Sequence, residues 1–268
     1  LGESSQFIIL IESKLAIELG ADVYGSIGSV HSHSDGHKRS ISGPGVGNYI
    51  TMAKCVSDAE KDIGLNSLRK NTFVHAHGTG TPANRTTESH ILDKIASTFG
   101  IKNWPVSGIK SYLGHSMAPA SGDQLIAALG TWNKGVIPGI HSTDNLAEDV
   151  YSENLDILLD NKTKEADFYK GCFLNAKGFG GNNASAFILS PEETRKKMQS
   201  SISSNKYKQY LSKVEKTKKK SYRYNAACLK GNYQVTYKFN ENVLNGEKDI
   251  EISRKGIKLK GFKKEIEF

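Results

Sequence analysis

Two histidines and a lysine, each inside a glycine-containing string, are the residues in this chain best suited to chemistry. The first string is Val74-His75-Ala76-His77-Gly78-Thr79-Gly80-Thr81-Pro82. The second is Gly108-Ile109-Lys110-Ser111-Tyr112-Leu113-Gly114-His115-Ser116. A third, Asn175-Ala176-Lys177-Gly178-Phe179-Gly180-Gly181-Asn182-Asn183, has glycines that permit strained backbone. A neutral imidazole donates an N–H to developing negative charge without offering an acidic proton. His77 and His115 each adjoin a glycine, so backbone there can approach a bound molecule closely. A lone histidine is most often a satisfied core or turn residue; two of them inside ordered motifs reverse that reading. His75 would face the same side of a strand as His77, and it is assigned no chemistry.

Other reactive side chains carry weaker signals. His31-Ser32-His33-Ser34-Asp35-Gly36-His37 has ligand-type residues at metal-like spacing. Spacing alone is thin evidence, and a solvated loop is the expectation. Cys55, Cys172 and Cys228 share no metal-like or disulfide-like spacing. A reactive thiol wants a helix N-terminus or a nearby cation; Cys55 sits mid-helix on a structural pattern, Cys172 in a strand-like run and Cys228 in the tail, so none of them is expected to be a nucleophile. An odd number of scattered thiols suits a reducing cytosol. No signal peptide is visible, and no apolar run is long enough to cross a bilayer.

These strings must be held by regular elements. Residues 7–11 read as a buried strand, 13–19 as a short helix and 23–27 as a strand. Apolar residues at Val46, Ile50, Met52, Ala53, Val56, Ala59 and Ile63 predict a helix over 46–63. Phe73 and Val74 open a short strand ending in the His77 turn. A helix over 88–99 is capped by Gly100. Val106-Ser107 is a short strand, and residues 124–132 continue a helix that starts after His115. Residues 171–174 and 184–188 flank the third string like a hairpin. The alternation argues for a layered α/β domain.

The net charge of +8 is unevenly placed. From Pro191 onward there are 20 Lys and Arg against 9 Asp and Glu, a net of +11, whereas the first 190 residues carry −3. A boundary near Pro191 follows, giving domains 1–190 and 191–268. Residues 192–220 read as a solvated helix or a linker. Residues 233–239, 250–253 and 257–259 read as a small antiparallel β unit with turns near Asn245-Gly246 and Gly256. The chain opens on Leu and enters a strand-like run almost at once. A fragment, or the second piece of a split protein, is expected on that ground.

In their order, the three strings resemble the C-terminal half of the β-ketoacyl synthases, the thiolase-fold condensing enzymes of fatty-acid and polyketide synthesis. The resemblance covers roughly residues 1–191. It implies the second half only of a layered thiolase-like α/β fold, with a small basic extension behind it. It implies 3-oxoacyl-(acyl carrier protein) synthase activity, in which an acyl thioester condenses with malonyl-carrier protein and CO2 is lost. The nucleophilic Cys of that family lies in the earlier half, so this chain alone should be inactive.

By the same resemblance, His77 and His115 are the active-site histidines and Lys110 is the family's lysine. Glu88 is its structural partner, in a pair that orients His115 without transferring a proton. Thr79 and Thr81 match hydroxyls that bind the phosphopantetheine arm; alternatively they satisfy their own turn. The Phe179 N–H, in a loop made by Gly178 and Gly180, helps form an oxyanion hole, and the Phe179 ring gates the acyl tunnel. Asn84-Arg85 departs from the family pattern and adds a positive charge that would change the local field. Lys177 departs too, as a cation beside the acyl entrance that could change chain preference or contact an anionic carrier.

The resemblance implies no metal, no redox cofactor and an acyl carrier protein as partner. It also implies a homodimer when full length, a cytoplasmic location, and neither nucleic acid nor membrane as partner. Two rival readings stand beside it. One is a non-catalytic partner subunit like a chain-length factor, against which the retained histidines and lysine argue. The other is nucleic-acid binding through the basic tail, which lacks a known aromatic-basic module.

Overall fold

A computed structural model describes residues 1–36, 45–233, 238–241 and 243–268. The chain divides into two compact units, Leu1–Thr217 and Lys218–Phe268.

In chain order the first unit opens with α1 (Ser13–Leu19), β1 (Ser26–Ser34), α2 (Val46–Ile63), α3 (Leu65–Lys70) and β2 (Thr72–His75). Next come α4 (Pro82–Phe99), β3 (Trp104–Ser107), α5 (Lys110–Leu113), α6 (Ala120–Lys134) and β4 (Val136–Ile137). It continues with β5 (Leu155–Ile157), β6 (Lys162–Thr163), β7 (Gly171–Gly178), β8 (Asn182–Leu189), α7 (Pro191–Ser200) and α8 (Ser204–Leu229). The unit boundary falls inside α8, whereas the charge changes sign at the start of α7.

Six strands form one sheet in the order β1-β8-β7-β2-β3-β5. β1, β8 and β7 run antiparallel, and β7, β2, β3 and β5 run parallel. Both faces are covered, as parallel strands require. Side chains alternate along each strand, so Val74 and Phe173 join Met52, Val56, Ile91 and Leu92 from α2 and α4. Their neighbours Phe73, Cys172 and Leu174 pack on the other face against Ala128 and Trp132 of α6. The two indoles, buried on opposite faces, satisfy their N–H groups, Trp104 on the Thr72 hydroxyl and Trp132 on the Tyr169 carbonyl.

Several expected elements form where the pattern put them, including α1, α2 and the β7–β8 hairpin. Gly100 ends α4 in the left-handed conformation at φ 68°. Three expectations are corrected. Residues 7–11 form no strand, and their side chains are exposed, Phe7 at 96%. An apolar run becomes a strand only with a neighbour for its backbone, and no strand of this sheet pairs with it. The His31 segment is not a solvated loop: β1 runs on through Ser34, paired to β8. Residues 192–220 are helical and partly core. Met198, Tyr210 and Val214 bury against Ala16 and Ile17 of α1, which the lysine-rich composition hid.

The second unit carries β9 (Ile250–Ile252), β10 (Gly256–Leu259) and β11 (Ile266–Glu267) in one antiparallel sheet. The Ser253 hydroxyl accepts from the Lys255 and Gly256 N–H groups and closes the turn between β9 and β10. Of the strand expected over 233–239, residues 234–237 lie outside the described residues. Among the described residues no helix is long and apolar enough to cross a membrane.

Candidate active site

The topology explains why three separated strings meet. β7, β2 and β3 are parallel neighbours, so their C-terminal ends open on one edge of the sheet. His77 follows β2, Lys110 and His115 follow β3, and Gly178 ends β7. Such an edge is where open α/β sheets bind ligands.

The imidazoles of His77 and His115 stand edge to face, with ring centroids 5.4 Å apart. The Met117 N–H donates to His115 Nδ1 at 3.0 Å, so in the neutral ring Nε2 carries the proton and is the free donor. Burial, with the Lys110 and Lys177 ammoniums and His115 adding to it, pushes His77 down to about 4 against the pull of Glu88. Burial and Lys110 lower His115 as well. Both rings are therefore neutral N–H donors at physiological pH.

A buried carboxylate fixes the His77 turn. Glu88 Oε1 accepts the His77 N–H at 2.7 Å and the Asn175 amide at 2.7 Å. Its Oε2 accepts the Gly78 N–H at 2.9 Å and the Asn84 amide at 2.9 Å. Burial alone would raise this carboxyl, but the neighbouring His77 ring and these donors hold it below its ordinary value. Gln124 of α6 ties the ends of β2 and β7 together, donating to the Ala76 and Asn175 carbonyls.

Lys110 does not pair with Glu88, and that expectation is corrected. Its ammonium donates to the His77 carbonyl at 2.5 Å. Burial lowers its pKa, with Glu88 and Asp123 opposing at longer range. Four donors already surround Glu88, so Lys110 turns to the carbonyl of the same peptide whose N–H Glu88 holds. The two charges clamp His77 from both sides instead of pairing with each other.

The other departures also settle differently than their sequence suggested. Arg85 points away from Glu88 and makes a two-pronged pair with Asp149 at 2.8 and 2.9 Å, so its charge is spent at the surface. Asn84, its neighbour, is buried and joins the Glu88 cage. Lys177 is 6% exposed, too deep to touch a carrier protein's surface, and among the described residues its ammonium has no hydrogen-bond partner.

Thr79 and Thr81 share a hydroxyl–hydroxyl contact of 3.2 Å at the mouth of the site. A cavity of about 440 Å³ opens there, lined by Gly78, Thr79, Lys110, Ser111 and Ile140 among others. Phe179 sits 67% exposed at the hairpin tip, where Gly180 and Gly181 take φ of 80° and 77°. Its carbonyl accepts from the Asn182 amide at 2.9 Å, just beyond the end of β7 at Gly178.

The metal-like histidines have other partners. His31 Nε2 lies 2.8 Å from Asp58, His33 Nδ1 bonds the Ser34 carbonyl, and Asp35 holds the Gly47 N–H and the Asn183 amide. His37 lies outside the described residues. Cys55 and Cys172 are fully buried. Burial pushes the Cys55 thiol to about 11 and the Cys172 thiol well up. Neither can serve as a thiolate. Cys228 lies on α8, in the second unit.

Sequence reasoning missed Asn175 and Gln124. Both are amides in apolar runs, and a polar residue inside a strand-like or helix-like core stretch is the signal that was available.

Residues 24–144 match the family described as beta-ketoacyl synthase, C-terminal domain. The chain carries a beta-ketoacyl synthase C-terminal half. It is 44% identical over 263 residues to the beta-ketoacyl-[acyl-carrier-protein] synthase FabY of Pseudomonas aeruginosa, covering 98% of this chain and 41% of that protein. The crystal structure of that ketosynthase superposes with a TM-score of 0.87 at 42% identity, over 96% of this chain and 40% of the other. The ishigamide ketosynthase/chain length factor gives a TM-score of 0.55 at 26% identity, over 66% and 40%. The chain thus spans about two-fifths of the length of the FabY protein it matches.

Proposed function

We propose that this ketosynthase half works within a longer 3-oxoacyl-(acyl carrier protein) synthase that condenses an acyl thioester with malonyl-carrier protein. The observation that carries the reading is the pair of neutral imidazoles, 5.4 Å apart, with the His115 tautomer set by the Met117 N–H.

The malonyl thioester carbonyl oxygen lies between the two ring N–H donors. The bond from the methylene to the carboxylate breaks, and its electron pair moves into the enolate. CO2 leaves, and the new oxyanion is held without a proton being transferred, because neutral imidazole is a weak acid. The methylene then attacks the acyl thioester of a cysteine outside these 268 residues, since Cys55 and Cys172 are buried thiols unsuited to the role. The Phe179 N–H takes the second oxyanion, on the attacked acyl carbonyl, and the thiolate departs. Lys110 and Glu88 position His77.

Decarboxylation itself supplies the electron pair for the new bond, so this reading uses no resident metal or redox cofactor. The phosphopantetheine arm arrives on the substrate and passes Thr79 and Thr81. Three free cysteines support a reducing, cytoplasmic setting. The retained histidines and Lys110 speak against a non-catalytic partner subunit.

The test is condensation and malonyl-carrier decarboxylation, run with the 268-residue chain alone and with the full-length protein. Turnover is expected only with the latter. Turnover by the chain alone, or none from the full-length protein with a range of acyl primers, overturns the reading.

A further inference from the structure

Lys177 is a buried cation that the reaction described above leaves unused. On β7 it lies two residues beyond Asn175 and so on the same face of the sheet, the face on which Asn175 meets Glu88. It is the last residue before Gly178 and pairs across the hairpin with Asn183. The hairpin tip with Phe179 therefore begins where Lys177 ends, and His77 lies close enough to feel its charge.

Its ammonium is buried and, among the described residues, makes no hydrogen bond. That is an expensive state, because a desolvated ammonium needs an opposite charge and three acceptors. The carboxylates that act on it are Glu88 and Asp35, and both are occupied. Glu88 already has four donors. Asp35 holds the Gly47 N–H at 2.8 Å and the Asn183 amide at 2.9 Å. A buried ammonium without a hydrogen bond, near enough to His77 for its charge to act there, is an anion site waiting for its ligand.

We infer that Lys177 binds the free carboxylate of the acidic extender thioester while His77 and His115 hold its carbonyl oxygen. This rests on the condensing reading above. The extender has two oxygen-bearing ends, separated by a single methylene. The two histidines are suited to the end that becomes the enolate, and the ammonium to the end that leaves. An acetyl thioester, which lacks the carboxylate, would leave Lys177 unpaired, so the residue also selects the acidic extender over its decarboxylated analogue.

The arrangement has a kinetic signature. When the carbon–carboxylate bond breaks, the electron pair goes to the enolate between the imidazoles, and CO2 departs neutral. Lys177 keeps its proton throughout and loses its partner. Its attraction is therefore stronger in the ground state than in the transition state, which lowers KM and does not raise kcat.

The experiment uses the full-length protein and Lys177→Met, which keeps the chain length and removes the charge. The expected result is a KM for malonyl-carrier protein raised at least tenfold, a kcat that is equal or higher, and an unchanged KM for the acyl-carrier primer in the acyl-transfer half-reaction. A merely structural lysine would move both KM values or neither. An unchanged KM for malonyl-carrier protein in a folded, condensing variant overturns the inference while leaving the condensing reading intact. Failure of the parent protein to condense overturns that reading first. If Lys177→Met does not fold, Lys177→Gln is read in the same assay. Failure of both to fold makes the ammonium structural and also overturns the inference.

Discussion

Glu88→Gln isolates what the carboxylate under His77 contributes. The glutamine keeps the shape and turns one oxygen into an NH2 group. On the Oε1 side that group would face two donors, the His77 N–H and the Asn175 amide. Asn175 cannot turn its oxygen inward, because Asn48 and the Ser185 hydroxyl already use it. On the Oε2 side the group faces the Gly78 N–H and Asn84. Asn84 can rotate, since its own oxygen is buried without a partner and would then accept. One backbone N–H, that of Gly78, stays opposed by a donor. An orphaned buried donor costs about 1–3 kcal/mol, and trading a charged acceptor for a neutral one costs about 1 more. The total is roughly 2–4 kcal/mol, which lowers the Tm. Displacement of the His77 turn should lower condensation on the order of 100-fold. Scanning calorimetry and a condensation assay on the full-length protein measure both effects. Adding Asn84→Asp to the variant supplies an acceptor for the new amide and restores a charge, so the double variant should melt above Glu88→Gln alone. A Glu88→Gln protein with the parental Tm and rate refutes the cage.

Three further outcomes are expected. His77→Ala and His115→Ala should each suppress malonyl decarboxylation by about 3 kcal/mol in barrier while sparing acyl transfer to the cysteine; normal condensation by both would remove the roles given to them. His75 is fully buried, and burial lowers it from 6.5 to about 4. Between those values the unfolded chain takes a proton that the folded one refuses, so stability is complete above pH 6.5 and falls by roughly 3 kcal/mol on the way to pH 4. Urea titrations at pH 7.5 and 4.5 should show the loss, with His75→Leu reducing it; an equal loss in that variant would place the titration elsewhere. Neutralising Lys216, Lys218, Lys219 and Lys220 of α8 should raise KM for an acidic carrier, leave kcat unchanged and weaken the salt dependence. An unchanged KM at low ionic strength would leave the basic stretch as solubilising surface.

The sequence by itself determined what is local. Helical spacing placed α2 over Val46–Ile63, and Gly100 marked the end of α4 through its left-handed backbone. The glycine string between two apolar runs announced the β7–β8 hairpin. The two histidines and Lys110 were legible because each sits in a short string whose neighbours serve it. What only the tertiary structure decided depends on partners far apart in sequence. Arg85 looked like a charge aimed at the site until Asp149, 64 residues away, claimed it. Lys110 looked like the partner of Glu88, but Asn84, Asn175 and two backbone N–H groups reach that carboxylate first. Residues 7–11 have every strand propensity and no strand beside them, while Tyr210 and Val214 sit in a lysine-rich run and bury because α1 lies against them. Lys177 reads as a cation beside the acyl entrance, within reach of a carrier, and is buried, because β7 alternates its faces and the third string continues that strand inward. Propensity is a property of a segment, but a buried charge or a paired edge belongs to whatever the fold brings next to it.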